Sequence, residues 1–196
     1  MNRDMSFISV ELTSQEREMA KLIAKQRNDK AELAGADPQK YGNRLDNLTL
    51  HYQGCCSEMA VAKGLNCYWT GSVTSWHNDG DAGGYQVRTA RYEGGSLLVR
   101  PHEKYEDDPW VLAVNPVPFK AKMDLSKWKI IGWLYGREAR KDKWFKNPNG
   151  RGGAYFVPQT ELHDIESLPK MMIDGALLHK SSLHNDKMDK FDIFGE

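Results

Sequence analysis

The chain has 196 residues, and 40% of them are hydrophobic, with six Trp, eight Tyr and six Phe, so one domain with a true core fits and wholesale disorder does not. Its 27 Lys and Arg balance 27 Asp and Glu, which excludes a global basic field; any nucleic-acid partner has to be met by a local patch. No apolar run approaches the roughly 20 residues of a membrane span, residues 1–16 lack an apolar leader, and Cys55, Cys56 and Cys67 form no disulfide pattern, so a protein of the reducing cytoplasm, with no membrane partner, is expected.

In chain order, Phe7–Leu12 reads as an edge strand. Thr13-Ser14-Gln15-Glu16 fits a capping box that opens a helix over about 14–34, with Met19, Leu22, Ile23 and Leu33 as its apolar positions and Gly35 and Pro38 as its stop. Leu45, Leu48 and Leu50 fit either a short helix or a packed loop. A second helix is predicted over 54–63, with Gly64 closing it. Residues 66–84 are rich in Gly, Asn, Asp, Ser and Thr and read as loop and strand fragments. Short β-rich runs follow at Tyr85–Ala90, Ser96–Arg100, Trp110–Val114 and Lys129–Tyr135, the first two joined across a Glu93-Gly94-Gly95 hairpin signal. The contiguous Val111, Leu112, Ala113 and Val114 suit a strand buried on both faces. Arg137–Phe145 has helical composition, Ala154–Val157 is a strand stopped by Pro158, and Leu162–Met172 is a candidate last helix. The expectation is a single α/β (α+β) domain over 1–178, a mixed central sheet flanked by helices, with a polar segment at 179–196 that reads either as a mobile tail or as a partner-docking arm.

Glu58 stands out chemically. In the second helix it shares a face with Cys55, Ala62 and Leu65, which places a carboxylate in an apolar stripe. A buried carboxylate needs a partner, either a metal ion or an arginine or backbone amide. Further on, Asp79 and Asp81 precede a double glycine and a strand whose alternation sets Gln86 and Arg88 on one side and Tyr85, Val87 and Thr89 on the other. Between 137 and 151 lie Arg137, Arg140, Lys141, Lys143, Lys146 and Arg151, interleaved with Trp144 and Phe145. Such a stretch can track phosphates and stack a base, or can be a solvated face with core anchors. Lys120, Lys122, Lys127 and Lys129 form a second basic group. The six His have no metal-ligand spacing, and no C-x-x-C, P-loop or nucleophile-elbow motif occurs.

The run Gly54-x-x-x-Glu58-x-x-Ala-x-x-x-Leu65, an acidic residue before a strand, and Gln86-Val87-Arg88 together resemble the PD-(D/E)XK nuclease superfamily. Gly83–Thr89, Leu97–Pro101, Gly132–Ala139 and Phe156–Gln159 also resemble segments of proteins from tailed bacteriophages and prophages, over roughly residues 50–168. The superfamily resemblance implies a restriction-endonuclease-like core and a Mg²⁺ ion, with Mn²⁺ as substitute, held by Glu58, Asp81 (Asp79 in reserve) and Gln86, with Arg88 orienting water or phosphate. It also implies DNA as substrate and a homodimer as one assembly. Mg²⁺ prefers hard oxygen ligands and supplies the charge that phosphodiester hydrolysis needs. Two departures weaken that chemistry: Gln86 removes a charge from the family's carboxylate position, and Arg88 replaces a lysine with a group that stays protonated. The same residues are therefore also expected in a protein that keeps the nuclease plan only to bind DNA, or a host or phage protein, as an anti-defence or host-takeover factor does.

Overall fold

The computed structural model describes residues 6–35, 46–73, 80–117, 124–147, 150 and 152–170. Asp79, Lys120, Lys122, Arg151 and the 179–196 tail lie outside them. Strand β1 (Ile8–Glu11) leads into α1 (Ser14–Leu33) and α2 (Asn47–Gly64). The strands β2 (Gln86–Ala90), β3 (Leu97–Val99), β4 (Pro109–Val114) and β5 (Lys127–Tyr135) follow, then the one-turn helix α3 (Gly136–Ala139). Three short strands complete the order: β6 (Phe145–Lys146), β7 (Ala154–Val157) and β8 (His163–Asp164).

The architecture is mixed α+β, as expected. The main sheet runs β1-β5-β4-β2 with β8 beside β5, and β2 is parallel to β4 while β1, β4 and β8 are antiparallel to β5. A second, antiparallel sheet is β3-β7-β6. Two cores sit on opposite faces of the main sheet. One joins α1 and α2 to Val87, Val111, Ala113, Ile130 and Trp133; the other joins the small sheet to Trp110, Leu112, Val114, Ile131 and Leu134. Every residue of β4 is buried, which explains its unbroken apolar run. No helix among the described residues is long and apolar enough to cross a membrane.

Local rules account for most boundaries. Thr13 Oγ1 accepts the Glu16 amide at 3.2 Å while Glu16 accepts the Thr13 amide at 2.7 Å, the reciprocal capping box read from the sequence. Asp46 caps α2 by accepting from the Thr49 amide at 2.8 Å, so α2 begins seven residues before the expected start and takes in Leu48 and Leu50.

Elsewhere, packing overrides pattern. Met19, Leu22 and Leu33 of α1 are exposed at 56%, 63% and 89%, and the buried positions are Ala20, Ala24 and Asn28. The small alanines let α1 lie close on α2, which is itself buried on all sides from Cys55 to Ala62. The Gly94 turn does not make a hairpin. It carries the chain from the main sheet to β3 in the small one, and β2 pairs instead with β4. The basic 137–145 stretch is helical in two short pieces, α3 and a 3₁₀ turn at Asp142–Trp144 that carries Trp144 into the second core. The described part of 162–172 is β8 and one 3₁₀ turn rather than a helix.

Candidate functional site

A densely bonded polar centre joins the two long helices. Glu58, 7% exposed, accepts Arg27 Nη1 on one carboxylate oxygen at 2.7 Å and Arg27 Nη2 on the other at 2.9 Å. Trp69 Nε1 adds a third donor at 3.1 Å, and Arg27 Nε donates to the Ser72 carbonyl at 2.7 Å. This is a fork-on-fork pair, the strongest geometry open to a guanidinium and a carboxylate. It realises the arginine-partnered alternative for Glu58. The partner lies 31 residues upstream on α1, one turn past Ala24 on the face that packs on α2.

Asp81 enters the same neighbourhood from the loop before β2. The turn holding it is tight: Gly80 has φ +65°, and a Cβ there would sit 2.4 Å from the Gly84 backbone. Asp81 Oδ2 accepts the Val87 amide at 2.8 Å, and the Asp81 carbonyl accepts Thr70 Oγ1 at 2.9 Å. Asp81 thus satisfies an amide of β2, the last strand of the main sheet on that side among the described residues, where none of the described strands supplies an acceptor. Burial pushes the Glu58 carboxyl above the ordinary glutamate range and the Asp81 charge pushes the same way, while the Arg27 fork and Trp69 oppose them. The Arg27 guanidinium is held charged more firmly than usual by Glu58 and Asp81, against its own burial.

Gln86 and Arg88 do not join this centre. The predicted alternation holds: Val87 and Thr89 face α2, Thr89 bonding the Ser57 hydroxyl, while Gln86 and Arg88 project to the opposite face. There Gln86 Nε2 donates to Asp108 at 3.2 Å. Arg88 pairs with Glu103, donates to the Leu98 carbonyl at 3.1 Å and to its neighbour Val87 at 3.0 Å, and lies 4.2 Å over the Trp110 ring. The expected set of Glu58, Asp81, Gln86 and Arg88 is therefore divided by the thickness of the sheet.

That division bears on the implied Mg²⁺. Two of the three implied ligands meet, one of them already neutralised by a guanidinium on both oxygens, and the third, Gln86, faces away. Among the described residues no three His, Cys, Asp or Glu side chains gather closely enough to hold a metal ion. This donor arrangement does not fit the hard-oxygen shell the motif implies.

The basic stretch is only partly solvent-directed. Arg137 pairs with Asp107, Arg140 with Glu106 and the Glu103 carbonyl, and Lys143 reaches Glu161 at 3.4 Å. Trp144 is buried, with Lys141 and Lys143 each 4.7 Å from its ring, so it anchors the core and does not offer a stacking face. Phe145 is the exposed aromatic, edge-on to Tyr155 at 5.3 Å, and Lys146 beside it is also exposed. Lys129, from the second basic group, pairs with Glu93.

Sequence reasoning missed Arg27, Trp69 and the acidic residues at 103–108. The spacing of Ala20, Ala24 and Asn28 was the available sign of a close helix–helix face beside Arg27; the paired role of Trp69 had none. Comparison with family models, with curated proteins and with solved structures returns no match.

Proposed function

We propose that this chain is a nucleic-acid-binding protein on a nuclease-like plan, one that engages DNA without hydrolysing it. The observation that carries the reading is the saturation of Glu58 by the Arg27 fork, with Gln86 and Arg88 on the far side of the sheet. Hydrolysis by the motif would need these groups around one phosphate, whereas binding needs only cationic and aromatic groups at the surface. Arg137, Arg140, Lys141, Lys143 and Lys146, with the exposed Phe145, supply those from the second-core side of the molecule. The resemblance to phage and prophage segments suits a phage-encoded protein working in a bacterial cytoplasm, where blocking or redirecting a DNA-acting machine requires binding alone.

Fluorescence anisotropy with labelled duplex and single-stranded DNA, run alongside gel analysis of the same DNA in Mg²⁺ or Mn²⁺, tests this. The expected result is salt-sensitive binding with intact DNA. Cleavage by the parent that disappears in Glu58→Gln or Asp81→Asn would overturn the reading in favour of the metal-dependent deoxyribonuclease.

A further inference from the structure

The segment Glu103-Lys104-Tyr105-Glu106-Asp107-Asp108 crosses three of the arginines on the face just described. Glu103 holds Arg88 with one carboxylate oxygen and accepts the Arg100 amide with the other at 2.6 Å. Glu106 holds Arg140, whose guanidinium also reaches the Glu103 carbonyl, and Asp107 holds Arg137. The backbone of the same segment is pinned at the start of α3: the Glu106 carbonyl accepts the Arg137 amide at 2.8 Å, the Asp108 carbonyl accepts the Gly136 amide at 3.2 Å, and the Tyr105 carbonyl accepts Trp110 Nε1 at 2.9 Å.

Carboxylates thus sit on three guanidinium groups that belong to one face and come from two separate stretches of chain. The outer pairs are wet, with the Glu106 and Asp107 side chains 52% and 85% exposed, and such pairs contribute little to stability. Arg140 keeps a buried Nε with no hydrogen-bond partner among the described residues, so the carboxylate arrangement leaves one of its donors unmet. A guanidinium binds phosphate in the same bidentate geometry that it uses for carboxylate.

We propose that Arg137 and Arg140 form a binding face for the phosphodiester backbone of DNA, with Arg88 anchoring the acidic strap 103–108 through Glu103, and that the strap occupies this face as a built-in competitor. The inference rests on the nucleic-acid reading above and adds what sets its affinity. A DNA strand displaces the Glu106 and Asp107 carboxylates, which are exposed and tethered only through side chains, and Arg137 and Arg140 turn onto its phosphates. The strap's backbone stays pinned on α3. Binding by the parent is consequently weak and only shallowly dependent on salt, because the face is close to neutral until the strap lets go.

The test compares three proteins for binding to a fluorescein-labelled mixed-sequence DNA duplex across a salt series: the parent, Glu106→Gln/Asp107→Asn, and Glu18→Gln/Asp29→Asn. The last removes the same number of charges from exposed positions of α1, on the other face of the sheet. The strap variant is expected to bind roughly tenfold more tightly at about 0.1 M salt, with a log–log salt slope steeper by roughly two, while the α1 variant stays within about twofold of the parent. Equal affinity for the strap variant and the α1 variant overturns the strap while leaving DNA binding in place. Failure of all three to bind even at low salt overturns DNA binding itself, and the strap with it.

Discussion

Arg27 and Glu58 meet across two helices with every carboxylate oxygen taken, and the energetics of that pair depend on which partner is removed. Deleting a buried pair together costs little, whereas deleting one member leaves a charge without compensation. Arg27→Met should therefore cost about 3–5 kcal/mol of stability in denaturant unfolding, and Arg27→Met/Glu58→Met should recover most of it. The pH dependence has a definite sign. The Glu58 carboxyl is pushed up in the folded state, chiefly by burial, so the folded state favours its protonated form. That contribution is complete below the unfolded glutamate value and is lost as pH rises through the folded value. Removing Arg27 takes away the main opposing influence and pushes Glu58 higher still. The deficit of Arg27→Met against the parent should therefore shrink as pH falls from 7 toward 5, and a deficit that grows on acidification would contradict the assignment. Glu58 was legible from the sequence as an ionisable group needing a partner. Arg27 was not, because nothing in a helix rich in Ala, Glu and Lys, with Arg17 as its other arginine, marks this one as buried.

The chain's capping, glycine and burial signals act at the level of the element. The Thr13 box, the fully buried β4 and the β7 strand could be read directly, since each follows from residues close in sequence. Pairing partners could not. The Gly94 turn suits a hairpin, yet β2 finds β4 and β3 finds β7, because the apolar positions of β3 are needed over Trp110 and Leu112. The stripe of α1 misled for a related reason: a helix packed on an already buried helix needs small residues, so Ala20 and Ala24 go inward and Met19 and Leu22 stay out. At Gly136, where α3 begins, close approach is decisive. A Cβ there would lie 2.4 Å from the Tyr105 carbonyl and 2.8 Å from Trp110 Nε1. Backbone on one side and a packed indole on the other leave no room to yield, so Gly136→Ala should cost about 1–3 kcal/mol, read as a lowered thermal midpoint. It should also disturb the strap, whose backbone bonds are made at this point. A variant as stable as the parent would show that the α3 junction is looser than described.

Across the whole molecule, one sheet separates two sets of polar groups that the motif would place together. On the helical side, Glu58 and Asp81 serve an ion pair and a strand amide. On the other, Arg88 joins Arg137 and Arg140 beneath an acidic strap. The four motif residues were all legible, and so was the two-sided alternation of β2; their division followed only once α2 was placed against the face that carries Val87 and Thr89. A resemblance in sequence to a motif does not carry activity unless its side chains converge. Mn²⁺ titration by calorimetry tests that claim most directly, with the protein pre-bound to DNA so that phosphate oxygens can complete any shell, comparing the parent with Glu58→Gln/Asp81→Asn. Both proteins should give the same weak, superimposable heats. A saturable Mn²⁺ site in the parent that vanishes in the variant would contradict it, and would return Glu58 and Asp81 to the role of metal ligands.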